Sequence, residues 1–258
     1  MMLKRSERVL HGGDLDAVRE TYPLAPEPWG DLSTGINPRA YPLPPIHEHA
    51  WTRLPQRSEV DKLVAVAARR YGAASTDMVV PAPGTQALIQ ILPRLMQPTR
   101  VAVVSPTYAE HAASWQREGH EVLEVDDEGA ALAAQARVVV VVNPNNPTGR
   151  LVSRDSLQTL ARELATHEGL LVVDEAFVDV LPAGASLVSD LPPATVVLRS
   201  FGKTYGLAGV RLGFAIAAYD LAERLRAMIG PWAVAGPALT VGARALAADQ
   251  WLSDTRAK

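Results

Sequence analysis

The chain has 258 residues, a net charge of −3, 48% apolar and 21% charged residues, and no cysteine. Such a charge gives no general attraction to nucleic acid or to an anionic membrane, and the missing thiols exclude disulfides and thiolate metal sites. The longest strongly apolar run, Val138 to Val142, is far too short to span a bilayer, and Met1 to Gly13 lacks the apolar centre of a signal peptide, so a cytoplasmic globular protein is expected.

Residues 1–57 carry Pro23, Pro26, Pro28, Pro38, Pro42, Pro44, Pro45 and Pro55 and predict an extended N-terminal arm without a core of its own. His47-Glu48-His49 lies beside Pro44-Pro45, on a turn, without the helix spacing of zinc ligands, and no metal site is expected. Regular structure is expected from Ser58, read as an N-cap with Asp61 three residues on, and an alanine-rich helix follows to about Tyr71. Short β-branched runs then alternate with helical stretches. The strands are Val101 to Val104, Glu121 to Val125, Val138 to Val142, Leu170 to Val173 and Thr195 to Leu198. The helices fall near 85–96, 109–118 and 153–168, the last capped by Ser153. Unbroken apolar character in the later strands implies burial on both faces. The pattern is α/β, a mostly parallel sheet flanked by helices. Pro237 to Lys258 reads as one helix with no cap or strand after it. The expected division is an arm over 1–57, a large domain over 58–235, and the start of a further helix over 236–258, inside whose pattern the sequence looks cut short.

Chemistry concentrates at strand ends, where ligands of α/β sheets bind. Ser200-Phe-Gly-Lys203-Thr-Tyr-Gly-Leu-Ala-Gly-Val-Arg211 puts a lysine just past the 195–198 run, between a hydroxyl and a guanidinium. The lysine can form an imine with an aldehyde, and its neighbours can hold a phosphate. Pyridoxal phosphate carries both groups. Gly202-Lys203-Thr204 is also the tail of a P-loop, but the glycine required five residues before Gly202 is Val197. Pro83-Gly84-Thr85-Gln86 opens a helix whose amides can bind an anion, although by itself it is a turn before a helix. Tyr108 follows the 101–104 strand and suits stacking on a flat ring or simple aromatic packing. Asn143-Pro-Asn-Asn146-Pro147-Thr148-Gly149 fixes a backbone that can aim an amide at a ligand oxygen. Asp174 ends a strand, placed to face a pyridine nitrogen or to cap a helix.

The order and spacing of these elements, from about residue 80 to 214, resemble the fold-type I pyridoxal-phosphate enzymes of the aspartate aminotransferase superfamily. The resemblance implies that Lys203 bonds the cofactor, Asp174 faces the pyridine nitrogen, Asn146 bonds the ring's 3-oxygen and Tyr108 covers the ring. Gly84, Thr85, Ser200 and Arg211 would form the phosphate cup. His11-Gly12-Gly13-Asp14, Asp31 to Pro38 and Arg53-Leu-Pro55-Gln56 are similar to the cobalamin-pathway threonine-phosphate decarboxylases, relatives of the histidinol-phosphate aminotransferases. That likeness implies a small phosphorylated amino-acid substrate lined by His11, Gly12, Gly35 and Asn146, a lyase, and a homodimer with the arm packed on its partner. Three positions depart from relatives: Gly35 often has asparagine, while Phe177 and Leu54 stand where tyrosine is usual. The same motifs serve a histidinol-phosphate-type aminotransferase, since bond choice depends on the substrate carboxylate, which in the family is held by arginines of a small C-terminal domain; the resemblance implies that this small C-terminal domain is missing here. A fragment that binds the cofactor without turnover is the third reading.

Overall fold

Five consecutive valines can bury both faces of a strand only where the sheet has a core on each side, and Val138–Val142 is buried throughout. The structure, a computed structural model, describes residues 12–182 and 184–257. One seven-stranded sheet is built from β1 (Val79–Ala82), β2 (Arg100–Val104), β3 (Glu121–Val125), β4 (Val138–Val142), β5 (Leu170–Asp174), β6 (Thr195–Ser200) and β7 (Gly213–Ala217), in the order β1-β7-β6-β5-β4-β2-β3. The run from β3 to β6 is parallel, and β7 is antiparallel to both β6 and β1.

The described helices are α1 (Leu15–Thr21), α2 (His49–Thr52), α3 (Arg57–Tyr71), α4 (Thr85–Ile91), α5 (Glu110–Arg117) and α6 (Glu128–Ala133). They continue as α7 (Arg154–Ala165), α8 (Phe201–Thr204), α9 (Tyr219–Ile229), α10 (Gly236–Leu246) and α11 (Asp249–Arg256). Alternation along each strand divides the apolar side chains between two cores. Val139, Val141, Leu171 and Val173 pack with Leu63 of α3, Leu157 of α7 and Leu239 of α10. Val138, Val140, Leu170 and Val172 pack with Leu88 of α4, Trp115 of α5 and Leu225 of α9. Among the described residues no helix is long and apolar enough to cross a membrane.

The expected strands and helices are present, with four differences. Helix α3 is capped by Gln56, not Ser58: the Gln56 side chain takes the Glu59 backbone N–H, and Glu59 Oε2 accepts Gln56 N at 2.8 Å. The 85–96 helix changes after Ile91 to a 3₁₀ turn, Leu92–Leu95, where Pro93 cannot supply a helical N–H. Strands β1 and β7 were not expected; β1 is an edge strand, where a residue such as Pro81 is tolerated. The single helix over 237–258 is two, α10 and α11, because Arg70 takes the Leu246 carbonyl at 2.9 Å and pairs with Asp249 at the start of the next.

Register decides what meets at the carboxyl edge of the sheet. Ala82 and Ser200 both pair with Gly213, so the chain beyond β1, the end of β6 and the start of β7 lie side by side. A Cβ on Gly213 would stand 2.5 Å from the Thr85 amide nitrogen. The absent side chain therefore lets the Gly84–Thr85 turn close over the sheet edge. Gly213→Ala is expected to lower stability by about 1–3 kcal/mol, the range for forced overpacking. Urea unfolding measures it, and an unchanged midpoint would mean that the turn withdraws freely.

Candidate active site

A cavity of about 280 Å³ opens at this edge, lined by Gly12, Gly84, Thr85, Tyr108, Asn146, Asp174, Ser200, Lys203 and Arg211. The sequence-expected residues within the described chain thus converge, Gly35 excepted, while His11 lies outside the described residues. Gly35 faces an adjoining cavity of about 310 Å³ that shares Phe177 and Lys203 with the first. A larger groove of about 740 Å³ runs between α3, β1 and α9, but its cations Arg57 and Arg226 are paired with Asp61 and Glu223. It holds no comparable set of converging groups.

Each polar group reaches the cavity for a local reason. Gly84, the N-cap of α4, has φ 86°, and a Cβ there would stand 2.8 Å from an Arg211 guanidinium nitrogen. Glycine is needed twice over, for the left-handed turn and for the approach of the cation. Arg211 is itself left-handed, φ 52°, a conformation that costs a non-glycine residue roughly 1–2 kcal/mol. Its Nη1 donates to Ala208 O at 3.2 Å, which holds the guanidinium beside Gly84. With the first amides of α4 and the Ser200 hydroxyl, this forms a cationic, donor-rich pocket suited to a phosphate.

The asparagines after β4 divide the work. Asn143 exchanges hydrogen bonds with both backbone groups of Val152, at 2.8 and 3.1 Å, and closes the loop. Asn145 accepts the Thr107 hydroxyl at 2.6 Å and donates to Pro106 O at 2.9 Å, joining this loop to the one before Tyr108. Asn146 is left to face the cavity.

Asp174 is buried at the end of β5 and accepts the Ala176 amide at 3.0 Å. Its other oxygen lies 2.9 Å from His111 Nε2. An ionised Asp174 can only accept, so the ring nitrogen donates. This contact of His111 with Asp174 is one that sequence reasoning missed. The spacing of His111 from Tyr108, three positions, was the available signal, because it puts both on one side of the start of α5. Tyr108 donates to Gln86 Oε1 at 3.1 Å, and Gln86 Nε2 donates to Glu110 at 2.8 Å. Burial raises the Tyr108 pKa, with Glu110 and Asp174 adding to it and Arg211 opposing, so the phenol keeps its proton. Burial works against the Glu110 charge, but hydrogen bonds from Arg117, Gln86 and Gln90 hold its pKa below the ordinary value. A carboxylate there orients the Gln86 amide, and through it Tyr108.

The departures at Gly35 and Phe177 are one contact. A Cβ at residue 35 would lie 2.7 Å from both Cε1 and Cζ of Phe177. The ring occupies the space that a side chain at 35 would need, and its face lies 5.7 Å from Lys203 Nζ.

Residues 49–258 match the family described as aminotransferase class I and II. The chain belongs to that family. It is 45% identical to a threonine-phosphate decarboxylase of Pseudomonas aeruginosa over 237 residues, 92% of this chain and 70% of that protein. A histidinol-phosphate aminotransferase of Aeromonas salmonicida is 31% identical over 229 residues, 83% of this chain and 63% of that protein. Among solved structures, an L-threonine-O-3-phosphate decarboxylase from Porphyromonas gingivalis superposes with a TM-score of 0.69 at 23% identity, covering 78% of this chain and 65% of that one. The chain thus spans about 70% of the first of these proteins.

The residues present fit pyridoxal phosphate: a phosphate pocket, a flat phenol, an amide, a buried carboxylate and an amine line one cavity. Burial pushes the Lys203 ammonium below its ordinary pKa of 10.5, Asp174 opposes this and Arg211 adds to it. A larger fraction of Lys203 is therefore the neutral nucleophile at any given pH than for a free lysine. Capture of pyridoxal phosphate should rise with pH around a midpoint below that of free lysine. In Asp174→Asn the midpoint should fall further, since the charge favouring the ammonium is gone. Stopped-flow absorbance across pH measures both, and an identical midpoint in the variant would show that Asp174 does not act on Lys203.

Proposed function

We propose that this chain carries the cofactor site of a pyridoxal-phosphate-dependent decarboxylase of L-threonine O-3-phosphate. The product would be (R)-1-aminopropan-2-yl phosphate, for cobalamin biosynthesis in the cytoplasm. The observation that carries the reading is the 45% identity to a threonine-phosphate decarboxylase against 31% to a histidinol-phosphate aminotransferase. Phe177 agrees with it, because a ring without a hydroxyl faces Lys203 where aminotransferases of this group usually carry tyrosine.

The bound cofactor supplies an electron sink for the pair released as carbon dioxide leaves. The chain's own residues do the rest. Gly84, Thr85, Ser200 and Arg211 would hold the phosphate, and Tyr108 would cover the ring. Asn146 would donate to the ring's 3-oxygen. Asp174, oriented by His111, would keep a positive charge on the pyridine nitrogen, as a buried carboxylate favours a protonated neighbour. Lys203, held half-buried with its pKa lowered, is the acid that delivers a proton to the substrate Cα in place of the lost carboxylate. Gly12 and Gly35 border the substrate space, as His11 would. Product analysis with L-threonine O-3-phosphate tests the reading. Stoichiometric carbon dioxide and the amino phosphate are expected. A keto acid would favour the aminotransferase, and cofactor binding without any product would leave only a binding function.

The arm is part of the same proposal. Tyr22, Leu24, Leu32, Leu43, Trp51 and Leu54 on it are each at least 60% exposed. That much apolar surface is expected to be covered by a second copy. Sedimentation at micromolar concentration should give a cofactor-loaded homodimer, and a loaded monomer would overturn this arrangement.

A further inference from the structure

Lys203 sits on α8, a helix of a single turn. A helix this short has almost no internal hydrogen bonding, and the carbonyls at its end need partners from outside. Two come from the chain that follows: Tyr205 N donates to Phe201 O at 3.2 Å and Leu207 N to Gly202 O at 3.1 Å. The next two, on Lys203 and Thr204, turn toward the arm. Asn37 N donates to Lys203 O at 3.0 Å, and Asn37 Nδ2 donates to Thr204 O at 2.9 Å. Gly206 N reaches Lys203 O only at 3.4 Å.

We infer that Asn37 is a positioning residue for Lys203, an external cap that the arm places on the turn carrying the amine. Its amide is oriented by its own loop, because Oδ1 accepts Arg39 N at 2.9 Å and Nδ2 is thereby aimed at Thr204 O. Close docking of the arm is built into the turn. Gly206 has φ 63°, and a Cβ there would stand 2.6 Å from Asn37 O and 2.8 Å from Ala40 Cα. Tyr41 N continues the seam by donating to Tyr205 O at 2.8 Å. The Thr204 hydroxyl also donates to Asp179 Oδ2 at 3.2 Å. The turn is held by both the arm and the segment after β5, and substituting Asn37 removes the side-chain bond to Thr204 O while the backbone bond to Lys203 O stays.

The inference rests on the cofactor reading of Lys203, and its test separates the two. Pyridoxal phosphate gains affinity from its bond to Lys203. Pyridoxamine phosphate has the same ring and phosphate but no aldehyde, so it reports the cup without the lysine. Fluorescence titration of both ligands is made on the intact chain, on Asn37→Ala and on Asn37→Asp, which keeps the size and loses the donor. In both variants the dissociation constant for pyridoxal phosphate should rise about tenfold, the effect of one lost hydrogen bond, while that for pyridoxamine phosphate stays within about twofold. The same substitutions in a Lys203→Ala background should change neither. Equal loss of both ligands would mark Asn37 as a general structural residue and overturn the inference, as would no loss of either. If the unsubstituted chain binds the two ligands equally, the assignment of Lys203 fails first and the inference falls with it.

Discussion

Pairing of β6 with β7 at Ser200–Gly213 is the constraint on which the site depends. It sets the end of the strand that leads to Lys203 beside the start of the strand that follows Arg211, and β1 then brings Gly84 to the same level through Ala82–Gly213. Segments more than a hundred residues apart in the chain become neighbours around a single residue without a side chain. A parallel sheet supplies the rest, because the ends of β4 and β5 point the same way as β6 and deliver Asn146 and Asp174 to the same edge.

Beside the site lies a buried ionic network, and one member of it, Asp179, lines the cavity that Gly35 faces. Arg199 on β6 is 3% exposed and donates to Glu175, Ser186 and Asp179, with its guanidinium 4.4 Å above the Tyr71 ring. Burial raises the Glu175 pKa, and Arg199 works against that rise. Breaking such a buried set by removing one partner costs about 3–5 kcal/mol, because the remaining charge is stranded. The network also reaches the site, since Asp179 accepts the Thr204 hydroxyl beside Lys203 and its backbone carbonyl is held by Arg256 of α11. The turn that carries the amine is thus tied to this group of charges through Asp179.

Aromatic packing ties the same parts together. Phe201 stacks on Tyr205 at 4.6 Å between centroids, Tyr205 on Trp251 at 5.4 Å, and Tyr41 of the arm meets both Tyr205 and Trp251 edge-on. The arm, the lysine turn and α11 share one apolar seam. The proline-rich segment packs here, through Tyr41 and Ile46, on the core beneath the sheet.

The sequence by itself determined the alternation of strands and helices, burial of the later strands on both faces, and the set of polar residues at strand ends. Those features are local: β-branched runs, loop prolines and glycines, and motif spacing carry them without knowledge of partners. His111 beside Asp174, Gln86 behind Tyr108, the match of Gly35 to Phe177 and the grip of Asn37 on Lys203 were decided only by the tertiary structure. So were β1 and β7, and the break between α10 and α11 that Arg70 imposes. Each depends on which side chain stands opposite which across long separations in the chain. Hydrogen bonds and steric fit act over a few ångströms, and only the folded sheet brings those residues within that range.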